Sequence, residues 1–124
     1  MSLVDGSEEW DPTATDPVGP EFPDLVSWVE HWLAPTLRRQ VRGTEKWCHR
    51  WWAHPEAAAR LGALWAAWEV ASAEGGSAMS QWWVYHFDGH WPRLADSRGP
   101  FAGCTDTECL HHPPLPTEPY PYDL

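Results

Sequence analysis

Eleven tryptophans in 124 residues, most of them at helical spacing, constrain this chain more than any other feature. Each ring brings roughly 150–250 Å² of buryable surface, so a short chain can close a core with few residues. Leu25, Trp28, Val29, Trp32 and Leu33 follow the i, i+3, i+4, i+7, i+8 pattern of one helical face behind Asp24, a good N-cap. Leu61, Leu64, Trp65 and Trp68 form a second stripe in PEAAARLGALWAAWEVASAE. Pro55 suits the first position of that helix, and Gly75-Gly76 its end. A third helix starts at Ser77 or Ser80 and carries Met79, Trp82, Trp83, His86, Phe87 and His90, with a disturbance at Gly89 and Trp91-Pro92. Pro35 either kinks the first helix or begins a short second one running to Val41 and stopping at Gly43. Thr44 caps a further segment that holds Trp47, Cys48, Trp51 and Trp52.

No run alternates as a strand would. The expected fold is all-α, a small Trp-rich bundle of three to four helices over residues 23–112. Residues 1–22 carry Pro12, Pro17 and Pro20 among Asp, Glu, Thr and Gly with no apolar periodicity and read as a disordered acidic leader, in which Trp10 is either a partner anchor or a ring that docks on the domain. Residues 113–124 read as a proline-rich, polyproline-like tail.

Charge is unevenly spread. The net charge is −10, and residues 1–30 hold eight acids and no Lys or Arg. Arg38, Arg39, Arg42, Lys46, Arg50 and Arg60 then face only Glu45 and Glu56 between positions 38 and 60. The average charge argues against general nucleic-acid affinity. The segment Arg38, Arg39, Arg42, Lys46, Arg50, with its interleaved tryptophans, is the place where a nucleic-acid contact would form. The acidic leader is suited to mask that patch in cis. The chain lacks an apolar run of the roughly 18 residues a membrane span needs and lacks a signal-peptide pattern, so a cytoplasmic protein that does not engage membranes is expected. There Cys48, Cys104 and Cys109 stay reduced, as structural or metal-bound thiols.

Three constellations carry chemistry. His86 and His90 are four apart and share a helical face, and Cys104-x4-Cys109 follows in a Gly/Pro-bounded loop. Zinc prefers four such N/S ligands in a closed structural site. The expected set is His86, His90, Cys104 and Cys109, with Cys48 and His111 as substitutes. The competing reading makes these histidines ordinary amphipathic-helix residues and the cysteines small buried hydrophobes. Nucleophilic catalysis by Cys48 with His49 or His54 lacks an orienting acid, and none of the common phosphate, hydrolase or metalloprotease motifs is present, so a non-enzymatic interaction or regulatory protein is expected, with a metal-dependent enzyme of unknown reaction as an alternative. For interaction, Trp47, Trp51, Trp52, Trp82 and Trp83 are the tryptophans suited to a binding surface, because they crowd short segments and cannot all face inward.

The blocks WCHRWWAHPEA, WWVYHFDGH and GPFAGC together resemble an actinobacterial domain family of unknown function found on chromosomes, plasmids, integrative elements and phages. The resemblance spans roughly residues 22–112, and Cys48, His54, Glu56, His86, Asp88, His90 and Cys104 match its pattern. It implies a small accessory or regulatory protein with a protein partner, and a shared metal or polar site among those positions.

Overall fold

The computed structural model describes residues 21–41 and 44–123. The disorder expected of the leader, and the roles given to Trp10 and Arg42, fall outside the described residues.

Three helical runs form the fold. The first, α1, opens as α-helix at Leu25–Trp28, continues with π geometry through Val29–Leu33 and closes at Ala34–Thr36. Asp24 caps it, accepting from the Ser27 N–H at 2.8 Å, and that bond holds its carboxyl below the usual range. The second, α2, is a regular helix over Pro55–Glu74. It stops where Gly75 and Gly76 take φ of 77° and 61°, values that residues with a side chain rarely adopt. The third, α3, runs from Ala78–Gln81 through π-helical Trp82–Phe87 into Asp88–Leu94. Among the described residues there is no strand, only an isolated antiparallel bridge between Glu45 and Asp96. No helix among them is long and apolar enough to cross a membrane.

The expected stripes face the core. Trp28, Val29, Leu33, Leu61, Leu64 and Trp68 are buried, while Leu25, Trp32 and Trp65 pack half-buried around them. Rings from all three helices meet. Trp32 lies 5.0 Å from Trp68 and 5.7 Å from Trp82, and Trp28 meets Trp82 edge-on at 6.3 Å.

Two expectations are corrected. The helix ends at Thr36 and does not run on to Val41, and the segment after Thr44 is not a helix. Leu37 turns extended after α1, and the N–H of Lys46 donates to the Ala95 carbonyl at 2.7 Å, so this stretch pairs with the end of α3. Only Trp51–Ala53 winds into a single 3-10 turn. Conversely, α3 is not broken at Pro92, which sits inside it. A helix-interior proline costs about 3 kcal/mol. Burial of Trp91 and Leu94 on either side offsets that cost, each such side chain contributing roughly 1.5–3 kcal/mol.

Indole N–H groups divide the core tryptophans. That of Trp82 donates to the Leu64 carbonyl at 2.9 Å, whereas those of Trp28, Trp65 and Trp68 are buried without a partner. A buried unmade hydrogen bond costs free energy that a phenyl ring would not incur. Trp82→Phe should therefore cost about 1 kcal/mol more than Trp68→Phe in urea unfolding. Equal losses would mean that the Trp82–Leu64 bond contributes nothing.

Candidate metal centre

Sequence places Cys48 just before the 3-10 turn, His54 just before α2, and Cys104 and Cys109 in the loop that follows α3. The fold brings them together. One ligand atom from each of Cys48, His54, Cys104 and Cys109 lies within 4.8 Å of every other. The first three side chains are buried and the fourth is half-buried.

His54 is aimed by its neighbour. The residue before a proline avoids the helical region, and His54 sits at φ −105°, ψ 110°, extended, at the N-cap of α2. Its side chain makes no capping bond and turns to the sulfurs instead. Nε2 lies 3.5 Å from Cys104 Sγ and 3.3 Å from Cys109 Sγ. With Zn–S near 2.3 Å and Zn–N near 2.0–2.1 Å, a tetrahedron has S···N edges of about 3.6 Å. The observed separations of 3.5 and 3.3 Å are near that edge length.

The thiols are furnished for anionic character. Cys48 Sγ accepts from the Arg50 N–H at 3.4 Å, and Cys104 Sγ accepts from the Leu110 N–H at 3.3 Å. Burial pushes both thiols up, and these amides only partly offset it. Without a counter-ion the two thiols hold their protons. A divalent cation would supply the missing charge and displace them. Burial, and then the neighbouring His111 and His112, push the imidazole of His54 down, towards the neutral form a metal requires. Three thiolates around a Zn²⁺ would leave one net negative charge, which the amide donors would help to hold.

The loop between Cys104 and Cys109 is preset. Thr105 donates its N–H to the Glu108 carbonyl at 2.8 Å, and its hydroxyl oxygen accepts from the N–H groups of Thr107 and Glu108. His111 stacks on His54 with ring centroids 5.7 Å apart, and its Nε2 lies 3.9 Å from Cys109 Sγ. It stands beside the four ligands, as an outer neighbour. His112 anchors the loop's exit, its Nε2–H donating to the Ala102 carbonyl at 2.8 Å.

The structure gathers part of the expected set: Cys104 and Cys109 lie in the cluster with Cys48, expected as a substitute, and with His54, which was not expected there, while His86 and His90 lie apart from it. His86 is exposed on α3, and His90 Nδ1 faces the Arg60 guanidinium at 3.0 Å, where an N–H donor occupies the lone pair a metal needs. Arg60 also lowers the pKa of His90, after burial as the larger cause. The i, i+4 spacing remained the stronger pattern to the eye, whereas Cys48-x5-His54 matches no familiar finger. The His-Pro junction was the available signal for His54.

The remaining residues scatter. Trp51 and Trp82 are core, Trp47 and Trp83 are half-buried, and Trp52, 56% exposed, is the one open ring among the five proposed for a surface. Arg38, Arg39 and Arg50 are exposed and Lys46 is half-buried, on irregular backbone rather than on one helix face.

A family model, described as Domain of unknown function (DUF4913), matches residues 22–121. The chain belongs to this family. No curated protein and no solved structure matches it. All four clustered ligands lie within the matched DUF4913 span.

Gly103, at φ 84°, delivers Cys104 to the site, and a Cβ there would collide with the Leu110 side chain. Gly103→Ala should therefore cost about 1–3 kcal/mol in thermal unfolding. Gly89→Ala, where a Cβ meets nothing and φ is helical, should cost nothing measurable. Equal effects at both glycines would contradict the turn's role.

Proposed function

We propose that this DUF4913 chain is a small non-enzymatic interaction or regulatory protein whose fold is stapled by one structural zinc ion on Cys48, His54, Cys104 and Cys109. The observation that carries the reading is the closed donor set: three sulfurs and one imidazole nitrogen, mutually within 4.8 Å. Structural zinc takes four protein ligands, whereas catalytic zinc keeps a position for water or substrate. All four positions here are filled by side chains, three of them buried, which favours a staple over a reaction centre.

The staple joins segments some fifty residues apart in sequence, Cys48 and His54 to Cys104 and Cys109, so binding energy becomes folding energy. Cysteines outside any disulfide suit a reducing, cytoplasmic setting. The reading fits an accessory protein of a phage or another mobile element, working through a protein partner. The exposed Trp52, beside the stapled segment, supports the partner role.

The full chain, expressed with zinc and desalted, should carry about one zinc per chain by plasma mass spectrometry. Cys104→Ser and Cys48→Ser should each lose it, and His86→Ala/His90→Ala should retain it. Zinc-free wild type, or loss confined to the His86/His90 variant, would overturn the proposal.

A further inference from the structure

Away from the metal centre, the fold holds one apolar recess with a cationic rim. Val29 and Leu33 of α1, Leu37 and Val41 beyond it, Trp47 and Trp91 line a volume near 210 Å³. Arg39 stands at its edge, the guanidinium carbon 5.3 Å from the Trp91 ring and 5.8 Å from that of Phe87. Arg38, its neighbour in the chain, is exposed, with its Nε–H on the Pro35 carbonyl at 3.0 Å. The nearby carboxylate, Glu45, already accepts from the Trp91 indole N–H at 3.2 Å. Such a recess selects one large apolar anchor flanked by negative charge.

The chain supplies that ligand itself. Residues 1–20 contain five acids and no Lys or Arg, and the run Glu8-Glu9-Trp10-Asp11-Pro12 places an indole between carboxylates. Where this segment joins the domain, Phe22 packs against Trp68 at 5.8 Å. Eleven residues separate Trp10 from Phe22, and they reach up to roughly 40 Å when extended. A domain of this size has a radius of gyration of about 12 Å, so the recess lies within range.

We infer that Trp10 docks in this recess in cis, with Glu8, Glu9 and Asp11 set against Arg38 and Arg39, so that the leader caps a site for acidic, aromatic-bearing peptide. A partner of the same chemistry would have to displace it. Tethering places the leader at an effective concentration in the millimolar range, and even a weak contact is then largely formed.

The test uses a synthetic peptide of residues 1–20, titrated calorimetrically into the full chain carrying Trp10→Ala. One-to-one binding is expected, weakening as salt rises from about 0.05 to about 0.5 M. Wild type should bind the same peptide at least about tenfold more weakly, because its own leader competes. Adding Arg39→Gln to Trp10→Ala should weaken binding by about tenfold. Arg39 is exposed, and an unchanged near-ultraviolet circular dichroism spectrum confirms that this variant is folded; Arg38→Gln provides an independent second variant. The inference fails if the peptide does not bind Trp10→Ala, or binds wild type equally well. It also fails if neither arginine variant weakens binding, or if a peptide of residues 113–124 binds as tightly. Dimerisation of wild type on sedimentation would place the leader on a second copy and overturn the cis arrangement.

Discussion

Everything downstream of the helical core depends on where residues 44–54 and 99–112 meet. Neither stretch contains more than a single 3-10 turn, and neither can hold itself in place by backbone pairing alone. They meet each other and the end of α3 through the Glu45–Asp96 bridge, the Trp91–Glu45 bond, the ring contacts of Trp47 with Phe101 and Trp91 and of His54 with Phe101, and the four-residue cluster. Apart from the cluster, each of these is individually weak. A tetrahedral ion on Cys48, His54, Cys104 and Cys109 would be the one connection with the strength of a covalent closure, acting across about fifty residues of chain.

That division of labour explains the tryptophan content. The rings of α1, α2 and α3 form a cluster that spans the three helices, with Trp28 and Trp32 in contact with each other and each with both Trp68 and Trp82. A second aromatic series, Trp47, Phe101, Phe87 and Trp91, leads from that core toward the irregular segments. His54 ends this series by packing edge-on against Phe101 at 5.2 Å, so a ligand is oriented by the same aromatic surface that closes the core. Packing fixes the imidazole before any ion arrives, and preorganisation of this kind reduces the ordering cost of binding.

How far the fold was legible follows from which forces act locally. The helices of Trp28, Leu61 and Trp82 could be read because a 3.6-residue period and the Asp24, Pro55 and Gly75 punctuation are properties of adjacent residues. The stretch after Pro35 departs from the helix at Leu37, and farther along Lys46 pairs with Ala95, a partner forty-nine positions ahead that adjacent residues do not announce. The metal centre failed in the same way. Two ligands, Cys104 and Cys109, announced themselves by proximity, while His54 and Cys48 belong to the site only through tertiary closure. His86 and His90 have the better spacing, but Arg60 on α2 meets His90 and solvent surrounds His86. Spacing along one helix is weaker information than convergence of three segments.

The central claim is the identity of the coordinating atoms, and zinc K-edge X-ray absorption of the full chain addresses it directly. A first shell of three sulfurs near 2.3 Å and one nitrogen near 2.0 Å is the predicted result. A shell of nitrogen and oxygen alone, or one with two imidazoles, would contradict it.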